Sequence, residues 1–170
     1  MMAVIAIRAE RTGDGAGIDA ITRAAFRDHP HSRQTEHLIV RALRAAGTLS
    51  LSLVAEAGST VVGHLAASPV VMGDGSPGWH GLGPLSVAPA WQRQGIGQRL
   101  MRQGLERLRQ MGSQGCVLVG DPAYYARFGF AAVAGVEVAG VPPEVVLCLS
   151  FGDPPPPGAV AFDPAFGVNP

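Results

Sequence analysis

Apolar and polar positions alternate over residues 3–9 (AVIAIRA), the two-residue period of a strand with one face buried. The turn-rich GDGAG that follows places Asp14 as a helix cap ahead of Ile18, Ile21, Ala25 and Phe26, which recur at helical spacing. His29-Pro30 closes that helix, because a residue before proline avoids helical angles. A second helix is predicted over 33–46, with Leu38, Ala42 and Ala45 on one face and Gly47 at its end. Two β runs, 49–57 and 60–72, read as a hairpin turned at Gly58-Ser59. Residues 73–81 (GDGSPGWHG) read as loop.

Residues 82–89 (LGPLSVAP) form a short apolar strand. Pro84 removes one ladder donor there, which implies a bulge or a locally unpaired edge. A long helix then runs to about Met111. Ile96, Leu100, Met101, Leu105 and Leu108 form its buried stripe, while Arg99, Arg102, Glu106, Arg107 and Arg109 face outward. Gly112 and Gly115 end it. Residues 116–120 (CVLVG) carry no polar interruption, as in a strand covered on both faces. Strand, long helix and buried strand make a right-handed βαβ unit with a parallel pair. PAYYARFGF (122–130) predicts a short helix closed at Gly129, and weaker strands follow over 133–138 and 144–151. The domain spans 1–151. The proline-rich tail, 152–170, is expected to pack back on it through Val160, Phe162 and Phe166.

Composition narrows the classes. With 170 residues and 47% apolar residues, the chain suits one α/β domain with one core. Thirteen basic residues balance thirteen acidic ones, so no net field favours nucleic acid or an anionic membrane surface. Every basic residue is Arg, which excludes a catalytic Lys, a Schiff base and a P-loop Lys. Cys116 and Cys148 sit in apolar runs without a CxxC pattern or a His at metal-ligand spacing, so both are read as buried, reduced and structural. No apolar run reaches the roughly 18 residues of a membrane span, no basic region precedes the apolar start, and the cytoplasm is the expected compartment.

The chemistry concentrates at Gln92-Arg93-Gln94-Gly95-Ile96-Gly97, between a strand end and a helix start. Two glycines there let a backbone approach a ligand, and the free amides of a helix N-terminus suit a pyrophosphate. Arg93, with Arg99 or Arg102, adds charge for a further phosphate. Leu100 breaks the dinucleotide fingerprint, and no Lys follows to make a P-loop.

Placed after a strand and before AYYARFGF, this turn resembles the signature of the GNAT superfamily of N-acetyltransferases. Gln92, Gly95 and Gly97 match its Gln/Arg-x-x-Gly-x-Gly/Ala, and Tyr125 ahead of Gly129-Phe130 matches its later motif. The likeness runs from about residue 3 to 151. It is strongest to a group of small bacterial predicted acetyltransferases, which the tail with Ala165-Phe166 also resembles.

The resemblance implies a mixed, mostly antiparallel sheet with flanking helices and a parallel pair that splays to admit pantetheine. Leu85 and Val87 would bind the pantetheine amides, and the amides of Gln92 to Gly97 the pyrophosphate. It implies acetyl-CoA as acyl donor, direct attack by a primary amine of a small molecule or peptide, and Tyr125 as the acid that protonates the leaving thiolate. A homodimer is also within the family's habit. Gly120-Asp121-Pro122 stands where many members carry Asn. Two alternatives stay open: a non-catalytic acyl-CoA sensor and a transferase of another acyl group.

The general base is not singled out. Glu36, His64, His80 and Asp121 are the candidates. His29, His31 and His37 flank a region that shapes acceptor sites in this superfamily, although a solvated role suits each. Ser86 reads as a structural hydroxyl with no His or acid at meaningful spacing. Trp91 packs beside the glycine turn, and Tyr124 belongs to core or pocket lining.

Overall fold

The computed structural model describes residues 3–170. Its elements are β1 (Ile5–Ala9), α1 (Gly15–Phe26), α2 (Glu36–Ala46), β2 (Leu51–Ala57), β3 (Thr60–Pro69), β4 (Trp79–Val87), α3 (Ile96–Gln110), β5 (Gly115–Val119), α4 (Pro122–Tyr125), β6 (Ala131–Ala132), β7 (Val136–Glu137), β8 (Val146–Ser150) and β9 (Gly158–Ala159). Seven strands form one sheet in the order β1-β2-β3-β4-β5-β8-β6, and β7 and β9 pair apart from it. Within the main sheet only β4 and β5 run parallel. The expected mixed, mostly antiparallel α/β architecture is therefore present.

Two layers of helix cover the sheet. On one face α3 buries Ile96, Leu100, Met101 and Leu108 against Leu53, Leu65 and Ala67. On the other, Ile18 of α1 and Val40 of α2 pack on Val54. Two ion pairs join elements on this side: Arg44 of α2 with Glu10 at 2.6 Å, and Arg41 of α2 with Asp19 of α1 at 2.7 Å.

Several local expectations are corrected. Helix α2 starts at Glu36 rather than 33, because Gln34 takes a positive φ of 61°. Its buried face is Ile39, Val40 and Leu43, not Leu38, Ala42 and Ala45; the larger side chains remove more apolar area from water. Asp14 stands at the start of α1 without capping it. Its carboxylate instead accepts from the Arg8 guanidinium at 2.7 and 3.0 Å and from the Arg11 N–H at 2.6 Å. Strand β3 ends at Pro69, short of residue 72. Gly115 opens β5 instead of ending the preceding helix.

Strand β4 begins at Trp79, inside the segment expected as loop. Trp79 is buried, and His80 is flanked by Pro69 of β3 and Cys116 of β5, so pairing on both edges overrides a glycine-rich composition. Pro84 does disturb the ladder. Leu65 pairs with Leu85 and Ala67 with Leu82, which leaves one extra residue on β4. The segment 133–138 keeps only the two-residue β7, whose partner β9 comes from the tail. Beyond β9, Val71 bridges Ala161, and Val160 and Ala165 are buried. Among the described residues no helix is long and apolar enough to cross a membrane.

Candidate active site

The parallel pair holds for only three residues. Trp79, His80 and Gly81 lie beside Gly115, Cys116 and Val117, and then β4 runs on to Val87 while β5 runs on to Val119 without pairing. The Ala88 N–H donates to the Val62 carbonyl of β3 at 2.8 Å. Peptide groups alternate between the two edges of a strand, so those of Val87 and Leu85 face the open edge toward β5. The Val87 carbonyl there accepts from the Gln92 side-chain amide at 2.9 Å. Gln92 thus braces the mouth of the slot from the turn that follows it.

That turn is tight because Pro89–Trp91 form a single 3-10 turn, Arg93 takes φ 63° and Gly95 takes φ 82°. Gly95 immediately precedes α3. The first closure onto the helix is the Arg99 N–H to the Gly95 carbonyl at 3.1 Å, so the amides ahead of Arg99 point out of the helix end. Gln92, Arg93, Gln94 and Gly95 are exposed, Ile96 is buried in the core, and Gly97 lines the inner wall. A Cβ at Gly97 would stand 3.4 Å from the Tyr124 hydroxyl, 3.7 Å from Val87 and 3.9 Å from Leu85. Strand, helix end and α4 therefore converge within one side chain's reach. Arg99 turns away to donate to the Ile5 carbonyl at 2.9 Å, and Arg102 lies over the Phe128 ring at 5.2 Å. Of the three arginines, Arg93 alone sits in the turn.

Tyr125 closes the other wall. Its ring packs against Gly120, so closely that a Cβ there would collide with it, and against Phe130 at 6.1 Å. Burial, helped by Tyr124 and the Asp121 carboxylate, pushes its hydroxyl up to about 12, which keeps it a proton donor across the neutral range. The Tyr124 ring stands edge-on to it at 4.9 Å. Two tyrosines thus border the slot, and Tyr124 is the one whose hydroxyl meets the α3 terminus. The doubled Tyr in the sequence was its only trace.

The candidate bases scatter. Asp121 caps α4, accepting from the Ala123 N–H at 2.9 Å. His80 lies where β4 and β5 are still paired; its Nδ1 meets the Ser113 hydroxyl at 2.8 Å, and burial lowers its pKa. Glu36 opens α2, accepts from the Thr35 N–H at 3.0 Å and from the Ser32 hydroxyl, and lines a cavity of about 190 Å³ with Thr22, Phe26 and His37. His29 and His31 are exposed. His64 is fully buried on β3, directly across from Ser86 of β4. No histidine stands near Ser86 in the sequence, but strand pairing sets His64 opposite it, because register joins residues that sequence spacing keeps apart. Both cysteines are buried and unpaired, and burial pushes the Cys116 thiol up to about 12 and the Cys148 thiol to about 11.

A parted parallel pair beside an amide-lined helix end is the arrangement that the sequence resemblance implied, and comparison with known proteins settles the kinship. The model of the acetyltransferase (GNAT) family matches residues 18–130. The chain belongs to this family. An N-acetyltransferase of Escherichia coli, YhbS, is 37% identical over 129 residues, covering 75% of this chain and 74% of YhbS. A GNAT family acetyltransferase from Brucella melitensis, solved in complex with acetyl-CoA, superposes with a TM-score of 0.87 at 49% identity, over 97% of this chain and 99% of that one. The E. coli YhbS structure, solved with CoA, superposes with a TM-score of 0.88 at 31% identity, over 99% and 94%. The expectation of an acetyl-CoA-dependent GNAT N-acetyltransferase is met at the level of the family.

Proposed function

We propose that this GNAT protein binds acetyl-CoA in the gap between β4 and β5 and transfers the acetyl group to a primary amine of a small molecule or peptide. The observation that carries the proposal is the parting of β4 from β5 after Gly81 and Val117, beside the outward amides of the α3 end. Pantetheine amides find the open peptide edge of Leu85 and Val87. The diphosphate finds the turn from Gln92 through Arg93, Gln94, Gly95 and Ile96 to Gly97, where helix-end N–H groups favour an anion. That two relatives were solved with acetyl-CoA and CoA supports this choice of donor.

The neutral amine attacks the thioester carbonyl directly, the N–C bond forms, the nitrogen of the adduct gives up a proton to solvent, and the C–S bond breaks. The thiolate takes its proton from Tyr125, whose raised pKa keeps that proton in place until the sulfur departs. The cavity between α1 and α2 offers an acceptor room on the other face of the sheet.

Thiol release across an amine panel tests the reading. The wild type is expected to release CoA in an acceptor-dependent way. Tyr125→Phe should lower kcat about 100-fold while leaving CoA affinity unchanged. CoA binding without turnover on any acceptor makes the protein a sensor instead, and faster release from succinyl- or decanoyl-CoA assigns a different acyl group.

A further inference from the structure

Neither the fold nor the transfer chemistry described above gives the Tyr124 hydroxyl a task. Tyr124 is half-buried, and a phenol so placed usually finds a hydrogen-bond partner. Among the described residues its hydroxyl has none, yet it is not enclosed either, so it opens into the space of the slot.

Its place there is fixed by what surrounds Gly97. A Cβ on Gly97 would stand 3.4 Å from this hydroxyl, 3.7 Å from Val87 Cγ2 and 3.9 Å from Leu85 Cδ2. A Cβ leans toward the N-terminus of its helix, so that point lies on the side of α3 where the amides ahead of Arg99 open outward. Leu85 and Val87 are the residues whose peptide edges face the gap between β4 and β5. The hydroxyl therefore stands where the open strand edge meets the amide-lined helix end.

The ring is held in that pose. Arg127 lies over its face at 4.5 Å, while Arg127 Nε donates to the Tyr124 carbonyl at 2.8 Å. Phe128 and Tyr125 meet the ring edge-on, at 5.7 and 4.9 Å. A side chain clamped before its ligand arrives loses less freedom on binding. The cation over the ring also draws electron density from the phenol and strengthens it as a donor. Burial raises the pKa of this hydroxyl, outweighing the opposing Arg127 charge, so its proton stays on through the neutral range.

Resting on the proposed acetyl-CoA site, we infer that Tyr124 is a positioning residue for the donor, its hydroxyl donating to a diphosphate oxygen where the pantetheine arm departs. Such a bond is charge-assisted and stronger than one between neutral groups. Helix α3 follows β4, and α4 follows β5. A diphosphate held by the α3 amides and by Tyr124 thus ties together the two sides of the gap it enters. Successive helical residues point about 100° apart, so the neighbouring tyrosines divide the work. Tyr124 holds the diphosphate, and Tyr125 protonates the sulfur. No proton leaves Tyr124 in this role.

Calorimetry on the full chain with CoA tests the assignment without an acceptor. Tyr124→Phe keeps the ring and its contacts with Arg127 and Phe128, so its Tm without ligand should match wild type. It should weaken CoA at least about 10-fold. 3′-Dephospho-CoA retains the diphosphate and should be weakened by the same factor. Pantetheine lacks it and should bind both proteins alike in millimolar titrations followed by NMR. In turnover the loss should fall on the KM for acetyl-CoA rather than on kcat, the reverse of Tyr125→Phe. Equal CoA affinity in the two proteins overturns the inference. An equal loss on pantetheine does so too, since it assigns the hydroxyl to the arm, and a loss accompanied by a lowered Tm makes the hydroxyl structural. If the wild type binds no CoA, the donor site itself is wrong, and that result is read before any variant is made.

Discussion

Gly97 shows how much one hydrogen atom in place of a side chain decides. Its missing Cβ is the point where the Tyr124 hydroxyl, Val87 and Leu85 approach the α3 terminus. Gly97→Val fills that point with three heavy atoms in a helical position that valine tolerates. The protein should stay folded by circular dichroism and lose measurable CoA binding in calorimetry; unchanged affinity would falsify the diphosphate assignment. Gly95 differs in kind, because its φ of 82° demands glycine even though the space beside it is open. Both glycines were legible in the sequence, since a turn that requires free backbone writes its need locally. The roles of Tyr124 and Tyr125 were not separable there. Which hydroxyl faces α3 depends on how α4 is rotated over Gly120, and that rotation is set by contacts with Phe128 and Phe130.

Among the elements, α3 depends on close approach to the sheet. A Cβ at Gly104 would sit 2.6 Å from Leu65 Cδ2 and 3.3 Å from Leu51 Cδ2. Gly104→Val overpacks that contact and is expected to cost about 1–3 kcal/mol in urea unfolding, outweighing the helix propensity gained. A stability equal to wild type would show that the helix lifts without penalty.

Strand β1 is held to the start of α1 and to β2 by Arg8, which meets Asp14 at 2.7 Å and Glu56 at 2.5 Å. The Arg8 guanidinium holds the Asp14 carboxyl down at about 2, below its ordinary 3.8. A depressed carboxylate pKa stabilises the fold above its unfolded value, and the contribution is lost as pH falls through the folded one. Unfolding midpoints should therefore decline between about pH 4 and pH 2, and the decline should be shallower in Asp14→Asn. An identical slope in that variant removes the pair from the account. The sequence placed α1 and β1 correctly but assigned Asp14 to the helix end, because a capping pattern does not reveal that an arginine six residues earlier competes for the same carboxylate.

On the scale of the molecule, the tail is part of the architecture that supports the slot. Gly81, the last paired residue of β4, lies so near Phe162 that a Cβ on it would come within 2.7 Å of the ring. Val160 is buried with Val70, Trp79 and Val117, and Phe162 packs against the same cluster. We propose that 152–170 acts as a buttress to a catalytic unit spanning 1–151. Removing the tail uncovers side chains worth about 1.5–3 kcal/mol each when buried, so a chain ending at residue 151 should lose roughly 3 kcal/mol. Its Tm should fall by about 6 °C or more, a shift that calorimetry reads directly. A tail-less chain melting with the full one sinks the idea.

The sequence by itself determined whatever a short stretch of backbone must satisfy. The glycine turn, the apolar stripe of α3, the bulge at Pro84 and the order of strands about the βαβ unit all follow from local angles and periodicity. Tertiary structure decided what depends on a neighbour distant in sequence: that Trp79 to Gly81 are strand because β3 and β5 flank them, that β4 and β5 part after three residues, and that His64 stands opposite Ser86. The physical reason is common to these cases. A period of two or 3.6 says which face a side chain takes, while the identity of the group it meets is set by register and by the packing of whole elements.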